Sequence, residues 1–276
     1  MTPRSATSDL GIVRTTGAEP IRAVERACTV MDAFSIDRSR MTLVELAQRV
    51  SLPKPTVYRL ASTLVKAGYM TQSEDGRYGL GPRLIGLGAV VAQNLDVVRT
   101  CAPIIDAVAT ATGETVILAE PDWETGDIMI VARRDSAHPL SVLSPVGRRS
   151  PIPPGALGKA LLSGLPEDAQ RSMLSRLRLK KLTPKTHTTR SELLAELALT
   201  HQTGFALEQE EFIEGVSAVA VPVLFDGTRP LATIGVVGPS SRLGEAELNE
   251  FGSILLKLTR PLGAPRAGDG HSPATR

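Results

Sequence analysis

Aromatic side chains are scarce in this chain of 276 residues, at one Trp, three Tyr and five Phe. A core must therefore be packed from Val, Leu, Ile and Ala, and 42% hydrophobic residues are ample for it. Cysteine is nearly absent. Cys28 and Cys101 stand far apart in no metal or redox spacing, which excludes a disulfide framework and gives the expectation of two buried free thiols in a reducing cytoplasm. No run approaches the roughly 20 apolar residues of a membrane span. The first nineteen residues lack the apolar stretch of a secretory signal. Charge of one sign is lacking as well: 31 Lys and Arg face 29 Asp and Glu, a net charge of +2. Any attraction to nucleic acid must come from local clustering and not from the whole molecule.

The usual marks of catalysis are missing too. There is no GxSxG elbow and no HExxH, and His138, His187, His201 and His271 show no ligand spacing. Gly158-Lys159 falls short of a phosphate loop, because Pro153 and Ala160 stand where that pattern needs Gly and Ser or Thr. Glu208, Glu210 and Glu211 have no accompanying nucleophile and read as a solvated edge. A basic stretch from Arg171 to Arg190, free of acids, reads as a solvated face and loop. The expectation is a chain with no metal, no cofactor and no enzymatic activity.

What is present is concentrated between residues 20 and 80. Ile21 to Phe34 is amphipathic at helical period and supplies a packing helix. Leu43, Leu46, Ala47 and Val50 form one face of a short second helix. Thr42 followed by Glu45 at its start is a capping box, in which each side chain satisfies a backbone N–H. Pro55 suits the first turn of a third helix, whose inner stripe is Val57, Leu60, Ala61 and Leu64, and Gly68 ends it. Short alternating runs around Asp75-Gly76 then signal a hairpin, the wing. From Ala47 to Ser73 there are four cations, Arg49, Lys54, Arg59 and Lys66, and no acid, as phosphate neutralisation requires. This order predicts a winged helix-turn-helix. Its third helix would enter the major groove with Lys54, Thr56, Tyr58 and Arg59 nearest bases and phosphates, Arg77 on the wing would touch the adjacent backbone, and Thr42 and Thr63 complete the expected DNA-binding set.

Beyond Gly81-Pro82 a helix carries Leu84, Ile85, Leu87, Val91 and Leu95 along one side. It reads as a linker that pairs with another subunit, or else docks on its own C-terminal domain. From about Val98 helix and strand alternate. Glu114–Glu120, Asp127–Arg133 and Pro139–Ser144 read as strands, as do the apolar runs from Ala218 and from Leu231, which a turn at Asp226-Gly227 joins. Helices are expected at Ala102–Ala111, Ala156–Leu162, Glu167–Leu177, Ser191–Thr200 and Glu245–Leu262. Helices segregated about an antiparallel sheet make an α+β domain. The expected division is a disordered arm at 1–19, the winged helix at 20–80, a linker helix at 81–97, an α+β domain at 98–264 and a disordered tail at 265–276.

With the winged helix, the linker helix and the motifs Gly155-Ala-Leu-Gly-Lys-Ala-Leu, Gly204-Phe-Ala-Leu-Glu-Gln-Glu-Glu, Gly215-Val-Ser-Ala-Val-Ala-Val-Pro-Val and Ile234-Gly-Val-Val-Gly-Pro, the chain closely resembles the IclR family of bacterial transcriptional regulators from about Ile21 to Leu262. The resemblance implies a GAF-like effector-binding domain, dimers that often pair into tetramers, and operator DNA as partner. It places the effector site at Ala156 and Leu157, at Glu208, and at Ala218, Gly235 and Val237 on the late strands. Relatives that bind small keto acids commonly carry Cys or Ser at those late positions. Three hydrogen-bonding groups are missing here, so the expected effector is larger, more apolar or aromatic than pyruvate or glyoxylate, with its polar end at Glu208 or backbone N–H groups. Two other readings stay open: a sensory protein whose winged helix contacts protein, and a hydrolase.

Overall fold

The computed structural model describes residues 19–224 and 230–262. The tail expected at 265–276, the turn at Asp226-Gly227 and all of the expected N-terminal arm except Glu19 lie outside the described residues. Two compact units divide between Leu87 and Gly88.

The first unit runs α1 (Arg22–Asp32), α2 (Leu43–Arg49), α3 (Lys54–Lys66), β1 (Met70–Gln72) and β2 (Tyr78–Leu80). The capping box forms: the Thr42 N–H donates to Glu45 Oε2 at 2.7 Å and the Glu45 N–H to Thr42 Oγ1 at 3.3 Å. The bond from the Thr42 backbone, more than any nearby charge, holds the Glu45 carboxyl below its usual range. Gly68, at φ 80°, ends α3 by turning left-handed, so that the Tyr69 N–H reaches Leu64 O and the Gly68 N–H reaches Val65 O. The wing pairs Met70 with Leu80 and Gln72 with Tyr78 in antiparallel register. Val30, Leu46, Val57, Ala61, Leu64, Met70 and Tyr78 fill the core between helices and wing. Of the two cysteines only Cys101 is buried; Cys28 is exposed. It stands two positions before Val30, about 200° around α1 from the stripe that faces the core.

Helix α4 (Arg83–Asn94) follows and has no buried residue. The second unit contains α5 (Asp96–Thr112), β3 (Thr115–Asp122), β4 (Asp127–Arg134), β5 (Arg149–Pro151), α6 (Ala156–Ser163), α7 (Glu167–Arg176), α8 (Arg190–Thr203), β6 (Ala206–Gln209), β7 (Val216–Val223), β8 (Ala232–Pro239) and α9 (Glu245–Thr259). Its six strands lie in the order β5-β4-β3-β8-β7-β6, antiparallel throughout. The two-residue period of a strand sends alternate side chains to opposite faces. Ile117, Ala119, Ala218 and Ala220 meet α6 and α8 on one face, while Val116, Leu118, Val219 and Val221 meet α5 and α9 on the other. Both faces of the central strands are covered, so β7 and β8 read as the most apolar runs of the chain.

Pro139–Ser144, expected as a strand, is irregular, with Leu140 and Leu143 exposed. Arg149–Pro151 pairs with β4 in its place. Two prolines, Pro139 and Pro145, bracket the expected segment and withhold N–H groups at its ends.

Candidate functional site

On α3 the residues Lys54, Tyr58, Arg59, Thr63 and Lys66 are exposed and Thr56 is half-buried, forming the face away from Val57, Ala61 and Leu64. Thr63 Oγ1 donates to the Arg59 carbonyl at 2.8 Å. Arg77 is exposed on the wing but engaged: its guanidinium lies 3.8 Å from Glu45 and 3.5 Å from Asp75. Thr42 is half-buried and its hydroxyl serves the capping box. Thus Lys54, Tyr58 and Arg59 stand open on α3, while Thr42, Thr63 and Arg77 already have protein partners.

In the second unit a cavity of about 580 Å³, counting the part open to solvent, lies over the α6 face of the sheet. Ile117, Ile128 and Ile130 supply an apolar floor, and Phe212, Ile213 and Val216 a side. Of the residues expected at an effector site, Leu157, Glu208, Ala218 and Val237 line it. Ala156 is fully buried behind it and contributes its backbone N–H to Glu208 Oε2 at 2.8 Å. Gly235 lies beneath Leu157: a Cβ there would stand 2.9 Å from Leu157 Cδ2 and 3.1 Å from Val219 O. The cavity wall at this point is Leu157, and Gly235 makes room for it.

Glu208 and Glu211, read as a solvated edge, are buried instead, at 6% and 7% exposure. Glu208 Oε2 accepts the Ala156 N–H and Oε1 the Phe212 N–H at 3.1 Å, so the carboxylate caps the start of α6. Gly155, at φ 87°, permits this approach; an added Cβ would lie 2.5 Å from Glu208 Oε2. Burial pushes the Glu208 carboxyl up to about 7, against the opposing pull of the two N–H groups. Glu211 is buried for another reason. Lys159, wholly buried on α6, donates to Glu211 Oε1 at 2.6 Å and to Glu196 Oε2 at 3.0 Å. The ligand atoms of His187, Glu196 and Glu211 lie within 4.8 Å of one another, but the Lys159 ammonium binds both carboxylates and takes the place a cation would need. It is equally committed away from any phosphate. Glu210, by contrast, is partly exposed and pairs with Lys185 at 3.1 Å and Ser240 at 2.8 Å.

Three polar lining residues escaped the sequence reading: Ser144, Arg148 and Ser150. They stand on and before β5, where a false strand was expected. With β5 placed, alternation would have found two of them. Arg149 points away, to Asp122 at 3.3 Å, so its neighbours Arg148 and Ser150 share the face toward the cavity.

Among the described residues no single helix is long and apolar enough to cross a membrane. A family model described as "Bacterial transcriptional regulator IclR C-terminal" matches residues 89–263, and one described as "IclR helix-turn-helix domain" matches residues 23–74. The chain is 31% identical over 250 residues to the HTH-type transcriptional regulator XynR of Escherichia coli K12, covering 89% of this chain and 98% of the relative. It is 31% identical over 243 residues to KdgR, the HTH-type transcriptional regulator of Dickeya chrysanthemi, covering 88% and 79%. A solved transcriptional regulator from Alicyclobacillus acidocaldarius superposes with a TM-score of 0.79 at 25% identity, over 88% of this chain and 98% of that one. These relatives are regulators and not enzymes. The two family models cover the winged head and the antiparallel α+β domain in turn, and the chain belongs to the IclR family of ligand-responsive, DNA-binding transcriptional regulators.

Proposed function

We propose that this regulator reads a palindromic operator as a homodimer and is switched by an organic effector that is bulkier and more apolar than a two- or three-carbon keto acid. The observation that carries the effector class is the cavity's floor and sides, where Ile, Val, Leu and Phe side chains surround Ala218 and Val237. Such a surface gains by burying an aromatic or branched body, and gives little back for the water lost by a small hydrophilic acid. A thermal-shift screen of the full chain tests it: aromatic and branched aliphatic acids raise the melting temperature, because a ligand that binds only the native state stabilises it. A rise with pyruvate or glyoxylate alone overturns the reading.

Lys54, Thr56, Tyr58, Arg59 and Thr63 on α3 would face the major groove, and Arg77 would leave its two acids for a phosphate. Dimerisation is assigned to α4. Leu87 is 46% exposed and Val91 57%, large apolar side chains four residues apart on one side of a helix without one buried residue. Effector binding can change DNA affinity only as far as the effector distinguishes two arrangements of the paired heads.

A further inference from the structure

The missing polar groups of the late strands are made up from the other edge of the sheet. Arg148 and Ser150 belong to the β5 edge and Glu208 to the β6 edge, five strand steps apart, about 24 Å if the sheet were flat. Both edges nevertheless line one cavity, so the sheet curls around it and offers two unlike polar ends to one occupant.

The two ends differ in what they have left to give. Glu208 has each oxygen on a backbone N–H already. Arg148 forms one long hydrogen bond, from Nη1 to the Leu143 carbonyl at 3.4 Å, and has no ion pair among the described residues. Ser144, a residue at 8% exposure, and the half-buried Ser150 have no protein hydrogen-bond partner for their hydroxyls among the described residues. Two hydroxyls and a guanidinium that line one cavity, none of them paired with a carboxylate among the described residues, have donors left for a further acceptor. The partner that suits a planar fork of donors is a carboxylate, which accepts two parallel bonds and donates none. A carboxylate at the Glu208 end would meet an acid instead.

Taking this cavity as the effector site, as proposed above, we propose that Arg148, Ser144 and Ser150 form the subsite for the effector's carboxylate. The ligand is a monocarboxylate whose aromatic or branched aliphatic body lies on Ile117, Ile128 and Ile130.

Calorimetric titration of the full chain with benzoate and with its neutral isostere benzamide tests the assignment. The wild type binds benzoate on the order of tenfold more tightly than benzamide, and Arg148→Gln abolishes that preference by weakening benzoate alone. Ser144→Ala weakens benzoate in the same sense. Arg148 is partly exposed, and thermal melts establish that its variant is folded. If Arg148→Gln keeps the benzoate-to-benzamide ratio while Val142→Trp, which fills the cavity from its irregular wall, abolishes both, the subsite is wrong and the pocket stands. Benzoate binding that survives Val142→Trp, or no binding of either probe to the wild type at millimolar concentration, overturns the subsite and the pocket reading together.

Discussion

Glu208 and Glu211 stand three residues apart, and each is buried by a partner 52 residues away in the chain: Glu208 by the Ala156 N–H, Glu211 by the Lys159 ammonium. Neither partnership leaves a trace in local pattern. A run of acids before Gly215 looks solvated unless the distant helix start is already in place, which is why these two residues were misread while Glu210, half out in solvent, was not. The Glu208 carboxyl makes a testable contribution to stability. Its ordinary value of 4.5 rises to about 7 in the fold, so between those pH values the folded chain holds a proton that the unfolded chain has lost. Stability therefore falls as pH rises through this window, and the contribution is complete below about 4.5. Urea unfolding from pH 4.5 to 7.5 should show the wild type losing on the order of 3 kcal/mol relative to Glu208→Gln, whose side chain does not titrate. Parallel pH profiles for the two proteins would show that Glu208 ionises as freely as an exposed acid.

At the scale of elements, the legible parts were those whose signals lie within four residues. The capping box of α2, the proline in the first turn of α3, the left-handed Gly68 and the Asp75-Gly76 hairpin are all local chemistry, and each element stands where that chemistry put it. The short strands β5 and β6 were not legible, because three or four residues become a strand only by pairing with an edge, here of β4 and of β7. For α3 the cations and the open face lead to a measurable expectation. Arg59→Ala should weaken operator binding by about 1–3 kcal/mol if the guanidinium meets a base, with little change in salt dependence; a phosphate contact would instead lower the salt slope by about one unit and weaken all sequences alike. Electrophoretic shifts at several salt concentrations separate these, and undiminished retention removes Arg59 from the interface.

At the scale of the whole molecule, composition and length suffice to suggest two units, and the apolar texture of β7 and β8 to locate the second core. What an isolated sequence leaves open is the partner of α4, since an exposed apolar stripe looks the same whether it meets its own chain or another. Placing Asp at both Leu87 and Val91, four residues apart on one side of α4, should convert a dimer into monomers in sedimentation equilibrium, because neither charge can be buried without a partner. Operator affinity should fall with it, as one head reads only a half-site. A doubly substituted chain that still sediments as a dimer would move the interface off α4.

The packing of Leu157 over Gly235 carries a consequence for how such a sensor changes its diet. The ligand would touch Leu157 and never Gly235, yet the glycine decides how far back that leucine can sit. A Cβ added at position 235 would crowd Leu157 Cδ2 at 2.9 Å and the Val219 carbonyl at 3.1 Å, and a leucine that yields by moving forward would shrink the chamber without adding a group that the ligand touches. Effector size can thus be retuned from behind the wall, by a residue that a comparison of contact residues alone would pass over.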